Sequence, residues 1–395
     1  MANVSLLLGS GFSVPADYPT ATKINERMRR IDATEICVHT SGKASFLKDE
    51  KYPNADQMRV EERAFVQDFL EFYNKRVLTP GEMFDYETFY DYYNAAYRDG
   101  AYPDDLATFL NDFLQNKVEV VTDGNDLLMK FNDTFSQLLA GLLTKPIDRA
   151  HLCKPYHPSH SAFLLLLEEL GKVHTVHIHT LNHDLYMEHF NQSDAIQGEL
   201  DDGFEELGSP FYGQKYEQFA TYMIRLSRFT NTYGKRFRLY KLHGSIDHFW
   251  SNYNDGSFLI KIPWGIDAHE IHREFKRDEK LWYEHNPSDV VPEFLSGTTQ
   301  KIARYERGPY YPRVLEHFVR NLEASNTLIV IGYGFRDERI NQYLEKLFLD
   351  NPRKSMIVVD VVLPKNPLMN RENVHFINGG VSGMDIRQVL ARIIP

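Results

Sequence analysis

The chain reads as an α/β protein built on a doubly wound parallel sheet, with a large all-helical insertion in its first half. Three observations carry that reading. Four short apolar runs, Val4 to Leu8, Val173 to Thr180, Leu239 to Leu242 and Leu328 to Ile331, each stop abruptly at small, polar or titratable residues. Strands buried on both faces have this form, and in open α/β sheets the loops at their carboxyl ends carry the chemistry. Helical periodicity separates the runs in the second half, the alternation expected of parallel strands. Residues 26–150, in contrast, carry helical spacing throughout most of their length.

Composition sets the outer limits. The 395 residues suffice for one large domain or two ordinary ones, and 43% apolar with 25% charged residues is ordinary globular material. The 23 Tyr and 26 Phe point to thick helical packing. A formal charge of −11 argues against direct nucleic-acid binding, which needs clustered Lys and Arg. Cys37 and Cys153 are the two cysteines, so neither a disulfide framework nor a C-x-x-C zinc ribbon is expected. The first strand starts almost at the N-terminus, leaving no room for a signal peptide, and runs such as Phe163 to Leu167 are too short to cross a bilayer. A cytoplasmic protein with no membrane contact is the expectation.

The elements follow in order. Thr20 to Arg30 reads as a helix after the Tyr18-Pro19-Thr20 turn, and Cys37 to Asn54 as loop. Helical patterns then cover Ala55 to Val77, Phe84 to Arg98, Asp104 to Lys117 and Asn125 to Leu143. In the first of these, Phe65, Phe69, Phe72 and Tyr73 recur at helical spacing and read as core. The aromatic content exceeds what one small bundle need bury, which places a self-association surface on the insertion. Pro158 to Leu170 is a helix feeding the Val173 strand, and Gly203 to Thr232 a loop-and-helix excursion. Trp250 to Pro312 is weakly periodic and punctuated by Pro263, Pro292 and Pro312. Val314 to Ala324 (helix), Thr327 to Ile331 (strand), Asp337 to Leu349 (helix), Ser355 to Val361 (strand) and His375 to Asn378 (strand) complete the pattern. The expected organisation is a sheet domain over 1–25 and 151–395, with irregular insertions near 200–235 and 250–312, and a helical insertion over 26–150.

Gly9-Ser10-Gly11-Phe12-Ser13, directly after a strand, has the composition of a phosphate cradle. Glycines let backbone approach a pyrophosphate, and N–H groups at the next helix start favour an anion. Gly332-Tyr333-Gly334 is a second such turn, and Asp360, 28 residues after Gly332, ends the next strand, where an acidic residue reaches ribose hydroxyls in nucleotide-binding units. His177, His179, His183 and His189 cluster in sequence, yet no carboxylate or thiol completes a familiar ligand spacing, so no metal site is expected.

In combination these motifs resemble the sirtuins, the silent information regulator family. Gly9 to Ser13 is similar to the family's Gly-Ala-Gly-Ile-Ser. Pro158-Ser159-His160 followed by Thr180-Leu181-Asn182-His183-Asp184 is similar to the block centred on Thr-Gln-Asn-Ile-Asp. Lys241-Leu242-His243-Gly244-Ser245 resembles the His-Gly motif, and Gly332-Tyr333-Gly334-Phe335 with Asp337 and Asn341 resembles the form found in bacterial sirtuin-like defence proteins. The motifs occur in family order over about two-thirds of the chain.

The resemblance implies a Rossmann-like sheet and an NAD hydrolase giving nicotinamide and ADP-ribose, acting in antiphage abortive infection. Asn182 and His243 would be catalytic, the amide positioning water at the nicotinamide ribose and the imidazole acting as general base. Gly9, Ser10, Gly11, Phe12 and Ser13 would hold the pyrophosphate, Asp184 would support the nicotinamide end, and Gly332, Asn341 and Asp360 would contact the adenosine half. Tyr18, Pro19, Thr180, Tyr333 and Gly334 would also bind the cofactor. NAD would be substrate, and zinc is not expected, because the two distant cysteines cannot form the family's four-cysteine module. The helical insertion would stand in its place. The stretch Pro15-Ala16-Asp17-Tyr18-Pro19 keeps a proline but lacks the family's Arg, and the missing zinc module disfavours deacylase and ADP-ribosyltransferase activities. Regulation by homo-oligomerisation and by a HerA-type DNA-translocating ATPase partner is also implied. The alternative of another class is a module that senses NAD or ADP-ribose without cleaving it.

Overall fold

The computed structural model describes residues 3–49, 59–100, 102–117, 123–145, 157–217, 220–253, 256–286, 288–294 and 308–393. Cys153 and the start of the helix expected from Ala55 lie outside them. The chain divides into two compact units, residues 1–20, 144–289 and 302–395 forming one, and 21–143 with 290–301 the other.

The first unit is organised by seven parallel strands: β1 (Asn3–Leu8), β2 (Val176–Thr180), β3 (Leu200–Asp201), β4 (Phe237–Lys241), β5 (Ser325–Ile331), β6 (Ser355–Asp360) and β7 (Val374–Asn378). Their order across the sheet is β7-β6-β5-β1-β2-β4-β3, with every neighbouring pair parallel. Strand order reverses at β1: the chain leaves it toward β2 on one side and later adds β5 on the other. Such a switch opens a crevice at the strands' carboxyl ends.

Both faces are covered, which is why the strands read as apolar runs without alternation. On one face Val4, Leu6, Leu8, Ile178, Leu239, Ile329 and Ile357 form a single core with Phe163, Leu166 and Leu167, which belong to Ser161–Gly171, and with Val389 near the C-terminus. The other face carries His177, His179 and Tyr240 and is covered by the helix Tyr311–Ala324. Phe318 of that helix meets the His179 ring edge-on at 4.9 Å, and Tyr240 stacks on His179 at 4.8 Å.

The segments expected to be irregular insertions are instead antiparallel sheet. Phe204–Glu205, Arg228–Phe229, Gly256–Lys261 and His248–Tyr253 build one four-stranded sheet. Ala220–Arg225, Phe211–Glu217, Ile271–Arg277 and Lys280–His285 build another. Phe211, Leu226, Ile260, Ile262 and Ile271 make the small core between their elements. Outside it, Tyr216, Tyr222, Leu281, Trp282 and Tyr283 are exposed, so apolar side chains stand at outward as well as inward positions. Period-two alternation, the usual signature of a half-buried strand, is thereby erased.

The second unit contains the helices Ala21–Met28, Val60–Phe72, Tyr86–Asp99, Asp104–Lys117 and Gly124–Leu143. It is not wholly helical. Ile36–Val38 and Ala44–Phe46 pair as a hairpin within the segment expected to be loop, with Ala44 N–H donating to Gln137 Oε1 at 2.9 Å. Three-residue strands are too short to show a period. The aromatic stripe is core: Phe65, Phe69, Phe89, Tyr93, Phe131 and Phe135 are fully buried, and Phe69 meets Phe131 edge-on at 4.9 Å. Among the described residues the large apolar side chains this unit exposes are Val60, Met83 and Met129, so the expected surplus of aromatics is absorbed inside. Across the described residues, no helix is long and apolar enough to cross a membrane.

Candidate active site at the carboxyl edge of the sheet

Four loops meet where β1, β2, β4 and β5 end. Their backbones are tied strand to strand: Gly9 N–H donates to Ile331 O (3.0 Å), Leu181 N–H to Leu8 O (3.0 Å), Leu242 N–H to Thr180 O (2.9 Å) and Gly11 N–H to Gly332 O (2.9 Å). The glycines are required by this closeness. A Cβ on Gly9 would lie 2.6 Å from Gly332 O, and one on Gly11 would lie 2.8 Å from Gly332 Cα. Gly332 has φ +63° as well, in the region glycine alone enters freely.

The turn after β1 differs from the expected helix-start cradle. Ser10–Phe12 and Val14–Ala16 are two single 3₁₀ turns, and the N–H groups of Gly9, Gly11, Phe12 and Ser13 are all bonded to backbone carbonyls. Ser10 is exposed, whereas Phe12 and Ser13 are buried. Phe12 is held from below by a chain of donors. His157 N–H donates to Tyr186 Oη (3.2 Å), and Tyr186 O–H lies 3.0 Å from His160 Nδ1. His160 Nε2 faces the Phe12 carbonyl at 2.8 Å. A carbonyl only accepts, so Nε2 carries the hydrogen and Nδ1 accepts from Tyr186, which makes the ring neutral. Burial agrees, lowering its pKa to about 4. Tyr18 is buried in the same core against Tyr186, and Pro19 follows it, half-buried.

Asn182 reaches from β2's end into the β1 loop. Its Nδ2 donates to Gly9 O at 3.0 Å and to Ser13 Oγ at 3.1 Å, while its backbone N–H donates to Thr180 Oγ1. Both amide hydrogens are committed, leaving the carbonyl Oδ1 to accept from water or a hydroxyl. The Ser13 hydroxyl in turn bonds Asp184, which is buried. Desolvation is the largest effect on that carboxyl and raises its pKa to about 6, opposed by Lys241, the Tyr186 N–H and Ser13. Lys241, the last residue of β4, is buried, bonds the Asp184 carbonyl and pairs with Glu188 Oε1 at 2.9 Å. Lys241 stood in the His-Gly motif without a role, and Glu188 had no signal in the sequence beyond neighbouring a motif.

His243 follows β4 and is buried. Gly244, at φ +78°, turns the chain so that Ile246 N–H reaches His183 O (3.1 Å), bringing the His183 and His243 rings to 6.0 Å. His243 Nε2 lies 3.1 Å from Asp337 Oδ2, across the sheet edge in the β5 loop. Sequence reading placed Asp337 inside a motif without a role.

The β5 loop is braced by its own side chains. Tyr333 Oη bonds Asn341 Oδ1 (3.0 Å), and Asn341 Nδ2 donates to the carbonyl of Phe335, a non-glycine residue at φ +55°. Burial, reinforced by Asp337, pushes the Tyr333 hydroxyl far above its ordinary range. Asn341 therefore holds the turn with both ends of its amide. Gly334 has open space around its missing Cβ. Asp360 ends β6 next to the Gly332 turn, whose N–H donates to Val359 O; its Oδ1 accepts from Val361 N–H, and partial burial raises its pKa. No group of three or more His, Cys, Asp or Glu among the described residues could hold a metal ion.

No family model matches the chain, and no curated protein does. Among solved structures the chain is similar to one described for the mechanism and regulation of Sir2 enzymes, at 11% identity and a TM-score of 0.36, covering 99% of this chain and 90% of that one. It is similar to Sir2Tm bound to a propionylated peptide, at 10% identity and a TM-score of 0.36, covering 98% and 92%. A structure concerning sirtuin substrate affinity aligns at 11% identity and a TM-score of 0.34, covering 99% and 93%.

Proposed function

We propose that this chain hydrolyses NAD at the nicotinamide–ribose bond, with Asn182 and His243 as its catalytic residues. The observation that supports it is their placement. Both sit on neighbouring strand ends of one sheet edge, Asn182 hydrogen-bonded to Gly9 and Ser13 of another strand's loop and His243 within 3.1 Å of Asp337 in a third.

The chemistry asks for little more. The pyridinium leaving group already carries positive charge, so the C1′–N bond breaks with its electron pair going to nitrogen, giving neutral nicotinamide. Water supplies the new C1′–O bond and its proton passes to the His243 imidazole, giving ADP-ribose. Asn182 Oδ1 orients that water or a ribose hydroxyl, and a positioned base contributes ~10²–10⁴-fold. The 9–13 turn and the 332–334 turn would flank the pyrophosphate, and Asp360 would meet a ribose. In this reading the activity serves antiphage defence by depleting NAD, held in check by self-assembly and a HerA-type ATPase partner.

A sensing module is the second reading. It is favoured by the commitment of both Asn182 amide hydrogens to the scaffold, which suits a rigid binding site as well as a catalytic one. Incubating the purified protein with NAD and separating the products distinguishes the two. Nicotinamide with ADP-ribose supports hydrolysis, and unchanged NAD with measurable affinity supports sensing.

A further inference from the structure

We propose that the outer strand of the hairpin Ile271–Arg277 and Lys280–His285 pairs antiparallel with the same strand of a second copy of this chain, in a register centred on Trp282. The inference gives a surface to the self-assembly in the reading above and rests on that part of it, not on hydrolysis.

The hairpin is incomplete by itself. Its turn, Asp278-Glu279, has φ +51° and +61°, the left-handed pair that suits the twist of two-residue hairpins. Ile271, His272 and Arg273 pair with Gly213, Tyr212 and Phe211 on one side, and Glu274 N–H reaches Pro210 O at 2.7 Å. From Phe275 to Trp282, among the described residues, the two strands pair only with each other. A two-stranded ribbon of this kind is marginal in water. All six residues of Lys280–His285 are exposed, and Leu281, Trp282 and Tyr283 are 58%, 51% and 49% exposed. The strand ends its sheet, and an exposed apolar edge strand is a template for another strand.

The ladder fixes which backbone groups face outward. Asn286 N–H donates to Ile271 O at 2.7 Å, so Glu284, Trp282 and Lys280, at every second position, turn their backbone groups toward the inner strand. Leu281 and Tyr283 turn theirs outward. A two-fold partner must set outward residues opposite outward residues, which puts the axis on a residue and not between two. Centred on Trp282, Leu281 faces Tyr283 of the second copy and exchanges both N–H···O bonds with it, and the axis repeats the exchange. Lys280 then stands opposite Glu284 of the second copy, ammonium against carboxylate. An axis on Leu281 would set Lys280 opposite Trp282, and an axis on Tyr283 would set Glu284 opposite Trp282, with neither making that charge pair. Charge complementarity selects the Trp282 register.

Three variants act on this edge. Leu281→Pro removes an outward N–H that is outside the hairpin's own ladder, a place where an edge strand tolerates proline. Lys280→Glu and Glu284→Lys each set like charges against one another across the axis. Mixed, the two charge variants restore opposite charges at both contacts, because one copy then carries two carboxylates and the other two ammonium groups.

The experiment is light scattering on the full chain over a concentration series, with thermal melting beside it. The wild type should have the mass of two 46.1 kDa chains or an even multiple of that number. L281P, K280E and E284K should each halve the mass while melting like the wild type, and an equimolar mixture of K280E and E284K should recover it. A wild type that is monomeric or odd-numbered would overturn the inference and leave the edge to a strand of another protein. A mass that K280E and E284K both keep would overturn it too, as would a mixture that fails to reassociate. Should L281P not fold, the two charge variants and their mixture decide the matter alone. NAD turnover of the same samples is read separately: its absence from all of them would sink the hydrolase reading and leave the pairing standing.

Discussion

Gly332 stands against Gly11 so closely that a Cβ added to Gly332 would lie 2.5 Å from the Gly11 carbonyl carbon and 2.4 Å from Phe12 N. The two glycine turns are therefore one packed unit, and their glycines answer to each other before they answer to any ligand. Gly332→Ala should cost at least about 2 kcal/mol, from a left-handed backbone and from overpacking against atoms that cannot yield. Gly334→Ala, with nothing within 4 Å of its added carbon, should melt like the wild type. Thermal melts of the two variants check this, and equal losses would contradict it.

Asn182→Ala removes two buried hydrogen bonds and the amide oxygen together. Stability should fall by about 1–3 kcal/mol. NAD turnover should fall by ~10²–10³-fold, the usual loss when one preorganised polar group is deleted. A turnover assay beside a melting curve reads both effects. Near-wild-type turnover would mean that the amide is only a brace for the 9–13 turn.

Stability should fall as pH drops from 6.5 toward 4. Burial lowers His160, His177 and His317 from 6.5 to about 4, and His179 and His248 further. In that window the unfolded chain binds protons that the folded chain refuses, so their contribution, present above 6.5, is lost on acidification. Asp184 and Asp360 act in the opposite sense, since their raised pKa values favour the folded state as pH falls, Asp184 through about 6. Five imidazoles outweigh two carboxyls. Melting temperatures across this range should decline, and a flat profile would contradict the burial of these rings.

NAD cleavage should also decline below pH 6. Asp184 titrates at about 6, and its protonation replaces the charged acceptor of the Ser13 hydroxyl, which supports Asn182, with a weaker neutral one. The rate should thus fall on acidification even where the protein stays folded. A pH–rate profile recorded with circular dichroism at each point checks it, and constant activity down to pH 5 would exclude Asp184 from the site's working state.

Much of this architecture was legible because burial on both faces makes parallel strands read as uninterrupted apolar runs. Gly9, Gly11 and Gly332 were visible as glycines at strand ends, although their tightest demand proves to be backbone contact with one another. Asn182 and His243 were visible as polar residues where apolar runs stop. Asp337 was visible as part of a motif but without a role, since lying 3.1 Å from His243 across the loop of another strand is a through-space relation with no spacing to betray it. The antiparallel strands from Phe204 to His285 stayed hidden because large apolar residues such as Tyr222, Leu281 and Trp282 stand at outward positions and break the alternation. Aromatics of the helical unit suggested a surface for self-association, yet a residue count does not distinguish rings that stack on each other from rings left outside.

The most direct test of the central claim is chromatography of NAD incubated with the purified protein, run beside His243→Ala. The wild type should release nicotinamide and ADP-ribose in equal amounts. The Ala variant should bind NAD with similar affinity and turn it over ~10²–10⁴-fold more slowly. NAD recovered intact from a wild-type protein that binds it would contradict hydrolysis and establish a sensor, and absence of binding would contradict the nucleotide site itself.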